Sequence, residues 1–195
     1  MKQKTIKPLY FYHVVNKNSN MSLGLLSLQY MYNNKQYDLF DKYSEKYKKR
    51  IVKDWNIEKY QNRVESSLTR EEILDALNIY RGPYGTSQIF FFRYPPKPSL
   101  GPKVAELLKY KDIYRIDINN PKTQKYIKDI FYGYEESHSD NKKLDRQYYE
   151  NITEEKYFAK YDDKIPMNFM KLNHISIAFK EEYCPIAIIE KLKEK

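Results

Sequence analysis

The sequence predicts an α+β protein with one small, mostly antiparallel sheet and amphipathic helices packed against it. Short runs of aromatic and β-branched residues mix irregularly with amphipathic stretches, and neither a βαβ rhythm nor a glycine-rich nucleotide loop occurs. The apolar runs are spread from residue 8 to residue 192 of a chain of 195 residues, which is long enough for one substantial core. We therefore expect a single domain over residues 1–195.

Four short apolar stretches predict strands. They are residues 8–15, 87–93, 113–118 and 174–179. Each stretch is too short to bury its apolar face alone, so we expect all four in one sheet system. The first stretch leads through a polar segment into a short apolar turn, 21–27, that contains Gly24.

The helical signals lie between and after these strands. Helices are predicted over residues 36–63 with a break near Asn56, 73–80, 104–108, 121–133, from residue 153, and 185–192. Thr69 and Glu72 have the spacing of a capping box, and Asn120-Pro121 is an N-cap followed by proline. We expect the helix from about residue 37 to pack on the sheet through Tyr43, Tyr47 and Ile51. Residues 134–151 show no period and are predicted to form a mobile loop or lid.

Composition limits the compartment and the partners. The chain has 35 Lys and Arg against 26 Asp and Glu, which gives a net charge of +9. This charge favours nucleic acid, a nucleotide or an acidic protein or nucleoprotein surface as a partner. A solvated lysine-rich surface gives the same count. The 21 tyrosines suit stacking on bases, but codon drift in an AT-rich genome would also produce them. One cysteine, no long apolar span and no signal-peptide core predict a soluble cytoplasmic protein without a membrane partner, in the host cytoplasm if a phage encodes it.

Familiar catalytic motifs are absent from the sequence. It contains no P-loop, Rossmann, zincin or nucleophile-elbow motif and no Cys/His cluster at zinc spacing, and its histidines are His13, His138 and His174. These absences argue against P-loop phosphoryl transfer, Rossmann redox chemistry and a structural zinc site. A carboxylate metal site stays open, because Asp and Glu are too common here to be diagnostic.

Both ends of the chain resemble ADP-ribosyltransferase-like proteins, a group that includes the DNA-modifying DarT toxins and the RNA 2′-phosphotransferases. Those proteins open with a YHxT strand, continue with an ILKEGL-like turn and close with an IPPEYI-like segment. Tyr12-His-Val-Val15, Met21-Ser-Leu-Gly-Leu-Leu26 and Cys184-Pro-Ile-Ala-Ile-Ile189 occupy these places at the two ends of the chain. The resemblance implies a bacterial or phage protein that uses NAD to modify nucleic acid or protein.

The resemblance also implies roles for particular residues. His13 would hold the nicotinamide ribose, and Tyr30 or Tyr32 would stack on the nicotinamide ring. The family places a catalytic Glu on the strand before the closing segment, where this chain has His174-Ile-Ser176, with Glu181 and Glu182 only after the strand. We therefore take His13, His174 and Glu182 as the catalytic candidates. Ser87 and Arg93 join the cofactor-binding candidates, because sites tend to lie where strands meet turns.

Simpler interpretations of the same residues stay open. A histidine in an aromatic strand is more often partly buried, with one ring nitrogen bonded to a backbone carbonyl. Tyr30 and Tyr32 are two of many tyrosines that pack, and Arg93 is as readily a solvated cation. The alternative to an enzyme is a basic, tyrosine-rich binding protein without chemistry, such as a phage or mobile-element factor that occupies a nucleic acid or a host immune complex.

Overall fold

The computed structural model describes residues 7–81, 84–100, 102–132 and 174–192. The strands are β1 (Tyr10–Asn16), β2 (Gly24–Leu26), β3 (Gln88–Phe92), β4 (Lys111–Asp117), β5 (Ile127–Tyr132), β6 (His174–Phe179), β7 (Tyr183–Pro185) and β8 (Glu190–Lys191). The α-helices are α1 (Leu28–Asn33), α2 (Tyr37–Lys49), α3 (Arg70–Arg81), α4 (Pro102–Lys109) and α5 (Pro121–Gln124). The predicted lid 134–151 and the predicted helix from residue 153 lie outside the described residues.

Six of the strands form one sheet in the order β5-β6-β3-β1-β4-β8, and each of its neighbouring pairs is antiparallel. All four strands predicted from the sequence belong to it, which confirms the α+β class and its antiparallel sheet. The central strand β1 pairs with β4 along its whole length and meets β3 where Tyr12 lies opposite Phe92. Strands β2 and β7 form a separate antiparallel pair.

Two hydrophobic clusters lie beside each other. The sheet cluster buries Phe11, Phe91 and Phe179, and it includes Leu25 of β2 and Cys184 of β7. The two-stranded pair therefore covers one face of the large sheet. The second cluster is built by helices and contains Phe40, Tyr47, Ile51, Trp55, Tyr60, Ile73 and Leu77.

The prediction that helix α2 packs on the sheet is wrong, because the apolar stripe of α2 and of the turn that follows it lies in the helical cluster. Ile51 is fully buried there, Tyr47 is buried beside Trp55 at a ring-centroid distance of 5.9 Å, and Tyr43 packs on the same cluster. The α-helix ends at Lys49, a π-helical turn carries the chain to Asp54, and Asn56 has a φ of 50°, so the predicted break near Asn56 is confirmed. Positive φ is a conformation that asparagine tolerates better than most residues.

The capping box predicts the start of α3 correctly. The backbone N–H of Glu72 donates to Oγ1 of Thr69 over 3.2 Å, and the N–H of Thr69 donates to Oε2 of Glu72 over 2.9 Å. These reciprocal bonds satisfy two backbone donors at the helix start. They also hold the pKa of Glu72 below its usual value, with the Thr69 backbone bond as the largest cause.

Two helix predictions near the end of the chain are wrong. Helix α5 stops at Gln124, and residues 127–132, predicted as its continuation, are strand β5, which pairs with β6 through a register shift between Ile127 and Asp129. Such a bulge spaces apolar residues irregularly, so the strand imitates a helical period.

The predicted last helix, 185–192, is instead a 3₁₀ turn (Ile186–Ile188) followed by β8. Pairing of β8 with β4 decides its structure. Glu190 forms a two-bond ion pair with Arg115, and Lys191 binds Asp112 over 2.8 Å. The β-branched residues before it also favour a strand.

Candidate functional site

A cleft of about 910 Å³ opens where the sheet and the helical cluster meet. Its sheet wall comes from β1 and β3 and includes His13 and Phe90, and the opposite side comes from α2. Residues 16–23, β2 and the start of α1 close it on the third side. Its volume lies in the range of small-molecule sites, which is about 300–1,000 Å³.

The segment that carries the third wall is fixed by β7. Gly24, Leu25 and Leu26 pair with Pro185, Cys184 and Tyr183. Gly24 has a φ of 104°, and a Cβ at this position would clash with the Cys184 carbonyl oxygen and lie 2.8 Å from the Ile186 nitrogen. Only glycine fits a backbone approach this close in this conformation.

Helix α1 begins directly after this wall. Ser27 is its N-cap, and the Ser27 hydroxyl oxygen accepts a 3.1 Å hydrogen bond from the Tyr30 N–H. The Gln29 N–H donates to the Thr86 carbonyl over 3.0 Å, and the Thr86 hydroxyl lies 2.8 Å from the Gln29 side-chain oxygen. The N-terminal turn of α1 is therefore tied to the segment that enters β3.

Glu182 ties the other end of α1 to the turn between β6 and β7. Its Oε2 accepts a 2.8 Å hydrogen bond from the Asn33 side chain, its Oε1 lies 3.5 Å from the Ser87 hydroxyl, and its backbone carbonyl accepts from the Ser27 N–H over 3.3 Å. Glu182 does not line the cleft within the described part of the chain. Its visible contacts are those of a residue that positions the cleft wall.

His13 lies in the sheet wall and combines two features that the sequence left as alternatives. Its Nδ1–H donates to the Phe90 carbonyl over 2.5 Å, and its ring meets Phe91 edge to face at 5.6 Å. His13 also lines the cleft. The backbone bond fixes the tautomer, so Nε2 carries the lone pair and can accept a hydrogen bond from a ligand hydroxyl.

Burial and charge both keep the His13 ring neutral. Desolvation lowers its pKa most, and the nearby ammonium of Lys46 lowers it further, while the hydrogen bond to Phe90 acts in the opposite direction. A neutral imidazole is a hydrogen-bonding group. It contributes no positive charge to the cleft.

The positive charge of the cleft comes from lysines. Lys17, Lys42, Lys46 and Lys111 line it, and no Asp or Glu of the described ranges does. Lys111 bonds to the Asn16 side chain, whereas Lys42 and Lys46 lie near the rings of Tyr43 and Tyr47 at 5.9 and 4.9 Å. A cleft lined by one sign of charge concentrates ligands of the opposite sign.

Of the predicted site residues whose side chains the structure describes, only His13 lines this cleft. The Tyr30 ring packs on Tyr183 at 4.9 Å, and the Tyr32 hydroxyl donates to Glu71 over 2.5 Å, a bond that raises the pKa of Tyr32. The other predicted residues with described side chains also lie outside the described lining of the cleft: Ser87, Arg93, Glu181 and Glu182.

These remaining residues occupy different places in the fold. The Arg93 guanidinium lies 5.0 Å from the Tyr94 ring centroid, Ser87 approaches Glu182, and Glu181 is exposed. His174 begins β6, in register with Phe92. The prediction that Tyr30 or Tyr32 and a carboxylate or second histidine join His13 is therefore not met by the described lining of the cleft.

Sequence reasoning missed the contribution of α2. Lys42, Tyr43, Lys46 and Tyr47 alternate cation and ring along one side of this helix and reach the cleft together. The four-residue spacing of Lys42 and Lys46 was the available signal, because residues four apart lie on one helix face. Two further lysines of the same helix, Lys48 and Lys49, obscured this spacing.

Two further searches of the described residues give no site. They hold no group of three or more His, Cys, Asp or Glu side chains that could bind a metal ion. No helix among them is long and apolar enough to cross a membrane. Comparisons of the chain with protein-family models, curated proteins and solved structures found no match.

Proposed function

We propose that this protein is ADP-ribosyltransferase-like and that its cleft binds a phosphate-bearing nucleotide, with NAD as the first ligand to test. The observation that carries the proposal is the position of His13, whose ring lies in the wall of a cleft lined by four lysines and by no described carboxylate. The resemblance at residues 12–15, 21–26 and 184–189 supports the same function, because residues 13–15 and 21–26 line the cleft and Cys184 and Pro185 pair with its wall.

The described residues fit the binding of such a nucleotide. Lysine ammonium groups are suited to phosphate oxygens, and Nε2 of His13 can accept a hydrogen bond from a ribose hydroxyl. The half-buried Tyr43 offers a ring next to Lys42 on which a base can stack. The amide side chains of Asn16 and Gln36 line the cleft and supply further polar partners.

The fit to the transfer reaction is weaker than the fit to binding. NAD, when bound, supplies an electrophilic ribose carbon and nicotinamide as the leaving group, and a carboxylate beside the developing positive charge would speed its loss. Glu182 bonds to Asn33 and approaches Ser87 instead. We therefore derive binding and orientation from these residues, and no transfer step.

This distribution of charge favours a second candidate function. A cleft with lysines and no described carboxylate, in a chain with a net charge of +9, also suits a non-catalytic protein that binds nucleic acid or a nucleoprotein surface. Its test is a mobility-shift series with single-stranded and duplex DNA and RNA at rising salt. Binding that falls steeply with salt supports it, since each neutralised phosphate releases counterions, and no binding at low salt removes it.

The primary proposal is tested by thermal unfolding with NAD, ADP-ribose and, as a control, nicotinamide alone. A ligand at one hundred times its Kd stabilises the native state by about 2.7 kcal/mol. We expect NAD and ADP-ribose to raise the Tm, and the His13→Ala variant to lose that rise. Ile116→Val is the matched control, because Ile116 is buried in β4 and does not line the cleft. This change lowers the free energy of unfolding by about 0.5–1.5 kcal/mol.

The comparison of the two variants separates site from core. A His13→Ala protein that melts earlier and has lost the NAD-induced shift, beside an Ile116→Val protein that melts earlier and keeps it, supports the proposal. A wild-type protein whose Tm does not respond to NAD or ADP-ribose overturns the nucleotide function.

A further inference from the structure

Two lysines of α2 stand out among the cations of the cleft. Lys42 and Lys46 are one helical turn apart, both are exposed, and both line the cleft that His13 also lines. Their neighbour Lys48 forms an ion pair of 2.6 Å with Glu45. Neither Lys42 nor Lys46 forms an ion pair with a carboxylate of the described residues.

The surroundings of these two lysines hold them toward the cleft. The Lys46 ammonium lies 4.9 Å from the ring centroid of Tyr47, which is buried in the helical cluster, and the Lys42 ammonium lies 5.9 Å from that of Tyr43. Contact with a ring face restricts where an ammonium group can lie. The position of Lys46 also brings its charge close enough to His13 to disfavour the imidazolium form.

Two neighbouring cations without a carboxylate repel each other until an anion lies between them. A lysine ammonium is a compact charge with three donors, and it suits phosphate oxygens. Two such groups one turn apart match a group with two adjacent anionic phosphates better than a single phosphate. His13 makes no bond to a phosphate oxygen, because Nε2 of the neutral ring is an acceptor, but it can accept a hydrogen bond from the hydroxyl of a ribose attached to that phosphate.

We propose that Lys42 and Lys46 of α2, beside His13 of β1, form an anion subsite of the cleft that selects a diphosphate group. The inference deepens the proposed function and rests on it for the rest of the ligand, since a diphosphate links the two halves of a dinucleotide. It assigns the role of phosphate holder to α2, a helix to which the sequence resemblance gives no part. The proposal also predicts the order of affinities: ADP binds more tightly than AMP, and pyrophosphate binds more tightly than phosphate.

A bound anion also changes the titration of His13. The Lys46 charge lowers the pKa of His13, so an anion that neutralises this charge moves the pKa back upward. The other charged side chains among the described lining residues are Lys17, Lys42 and Lys111, and none of them carries a negative charge that would raise the pKa of His13. Pyrophosphate should therefore raise the pKa of His13, which NMR titration of its ring protons measures. The His13→Asn variant identifies the resonance.

The direct test is calorimetric titration of the full chain with sodium pyrophosphate and with phosphate at constant ionic strength. The variant pair is Lys42→Ala with Lys46→Ala, and the control pair is Lys49→Ala with Lys109→Ala. Both control lysines are exposed helix residues outside the described lining of the cleft, so each pair loses the same net charge. Unfolding curves check that both pairs fold, and Lys42→Gln with Lys46→Gln replaces the first pair if its Tm falls.

We expect the wild type to bind pyrophosphate more tightly than it binds phosphate. The variant with both cleft lysines replaced should bind pyrophosphate about tenfold more weakly, which is a loss of roughly 1.4 kcal/mol in binding free energy. The control pair should change the affinity less than twofold. Equal weakening in both pairs, an unchanged affinity in the cleft pair, or no pyrophosphate binding to the wild type overturns the subsite.

The same measurements with NAD keep the two proposals apart. Pyrophosphate binding that depends on Lys42 and Lys46, without any NAD binding, supports the subsite and removes the NAD function. NAD binding that is indifferent to the cleft pair retains the proposed function and overturns the subsite.

Discussion

The side-chain amide of Asn33 donates a 2.8 Å hydrogen bond to the carboxylate of Glu182, and this bond joins two parts of the chain that are far apart in sequence. Asn33 ends α1, and Glu182 lies in the turn between β6 and β7, with a φ of 59°. Both parts border the segment that forms the third wall of the cleft. The geometry therefore makes Glu182 a positioning residue for that wall.

The first prediction separates this role from a catalytic one. Glu182→Ala removes the acceptor for Asn33, and we expect a loss of about 1 kcal/mol in the free energy of unfolding. Glu182→Gln keeps an acceptor for Asn33 and should stay close to the wild type. Hydrogen exchange should show faster opening of residues 24–34 in Glu182→Ala but not in Glu182→Gln.

Glu181→Ala is the matched control, because Glu181 is the exposed neighbour in the same turn. It should leave exchange in residues 24–34 unchanged. If Glu182→Gln keeps the stability and the NAD binding of the wild type but abolishes nicotinamide release, the carboxylate acts on the reacting ribose and the positioning role is wrong.

The second prediction concerns Gly24, which lets β2 approach β7. Gly24→Ala places a Cβ against the Cys184 carbonyl and forces alanine into a positive φ. We expect a loss of about 1–3 kcal/mol from the backbone conformation alone, and more from the clash. Denaturant unfolding measures the loss, and Ser22→Ala, an exposed change in the preceding loop, serves as the control. A Gly24→Ala protein as stable as the wild type contradicts the close β2–β7 contact.

Local signals in the sequence predicted much of the fold. The capping box at Thr69 and Glu72 and the apolar runs of β1, β3, β4 and β6 depend on neighbours within a few residues, and the structure confirms them. Strands β5 and β8 owe their form to partners far away in sequence. The pairing of β5 with β6 and of Glu190 with Arg115 overrides a local pattern that looked helical.

The candidate site was less predictable for the same reason. His13 is predicted through the resemblance at residues 12–15, a signal that a few neighbouring residues can carry. The neighbours of His13 in the cleft come from α2, and only packing of α2 beside β1 turns Lys46 into a neighbour of His13. Tyr30 and Tyr32 were chosen by their place in a resemblance, and the structure uses them for contacts with Tyr183 and Glu71.

The third prediction concerns the single cysteine. Cys184 is fully buried in the sheet cluster, and burial raises the pKa of its thiol well above the ordinary value. Because the thiolate is the reactive form, a disulfide reagent should modify the native protein very slowly and the unfolded protein at once. The rate is followed by absorbance with and without denaturant. Gly24→Ala, which disturbs the strand that covers Cys184, should accelerate the reaction, and rapid modification of the native wild type contradicts the burial.

The last prediction uses the pH dependence of stability to test His13. Burial and Lys46 lower the pKa of His13 in the folded protein below its value of about 6.5 in the unfolded chain. Between these two values the unfolded chain binds more protons, so stability is complete above about pH 6.5 and falls as the pH drops toward the folded pKa. The pKa values of Asp41, Glu71, Glu72 and Asp75 are also lowered in the folded protein, and the stability that these carboxylates contribute is lost mainly below about pH 5.

Denaturant unfolding at pH 7 and pH 5 therefore isolates the histidine. The comparison variant is His13→Asn, since its amide can still donate to the Phe90 carbonyl but does not titrate. We expect the wild type to lose more stability than His13→Asn between the two pH values, by about 1.4 kcal/mol for each unit by which the folded pKa is lowered within this window. Saturating pyrophosphate should shrink this difference if it neutralises Lys46, because the folded pKa then rises. If the wild type and His13→Asn lose the same stability between pH 7 and pH 5 without ligand, the pKa of His13 is the same in the folded protein and in the unfolded chain. That result contradicts the prediction.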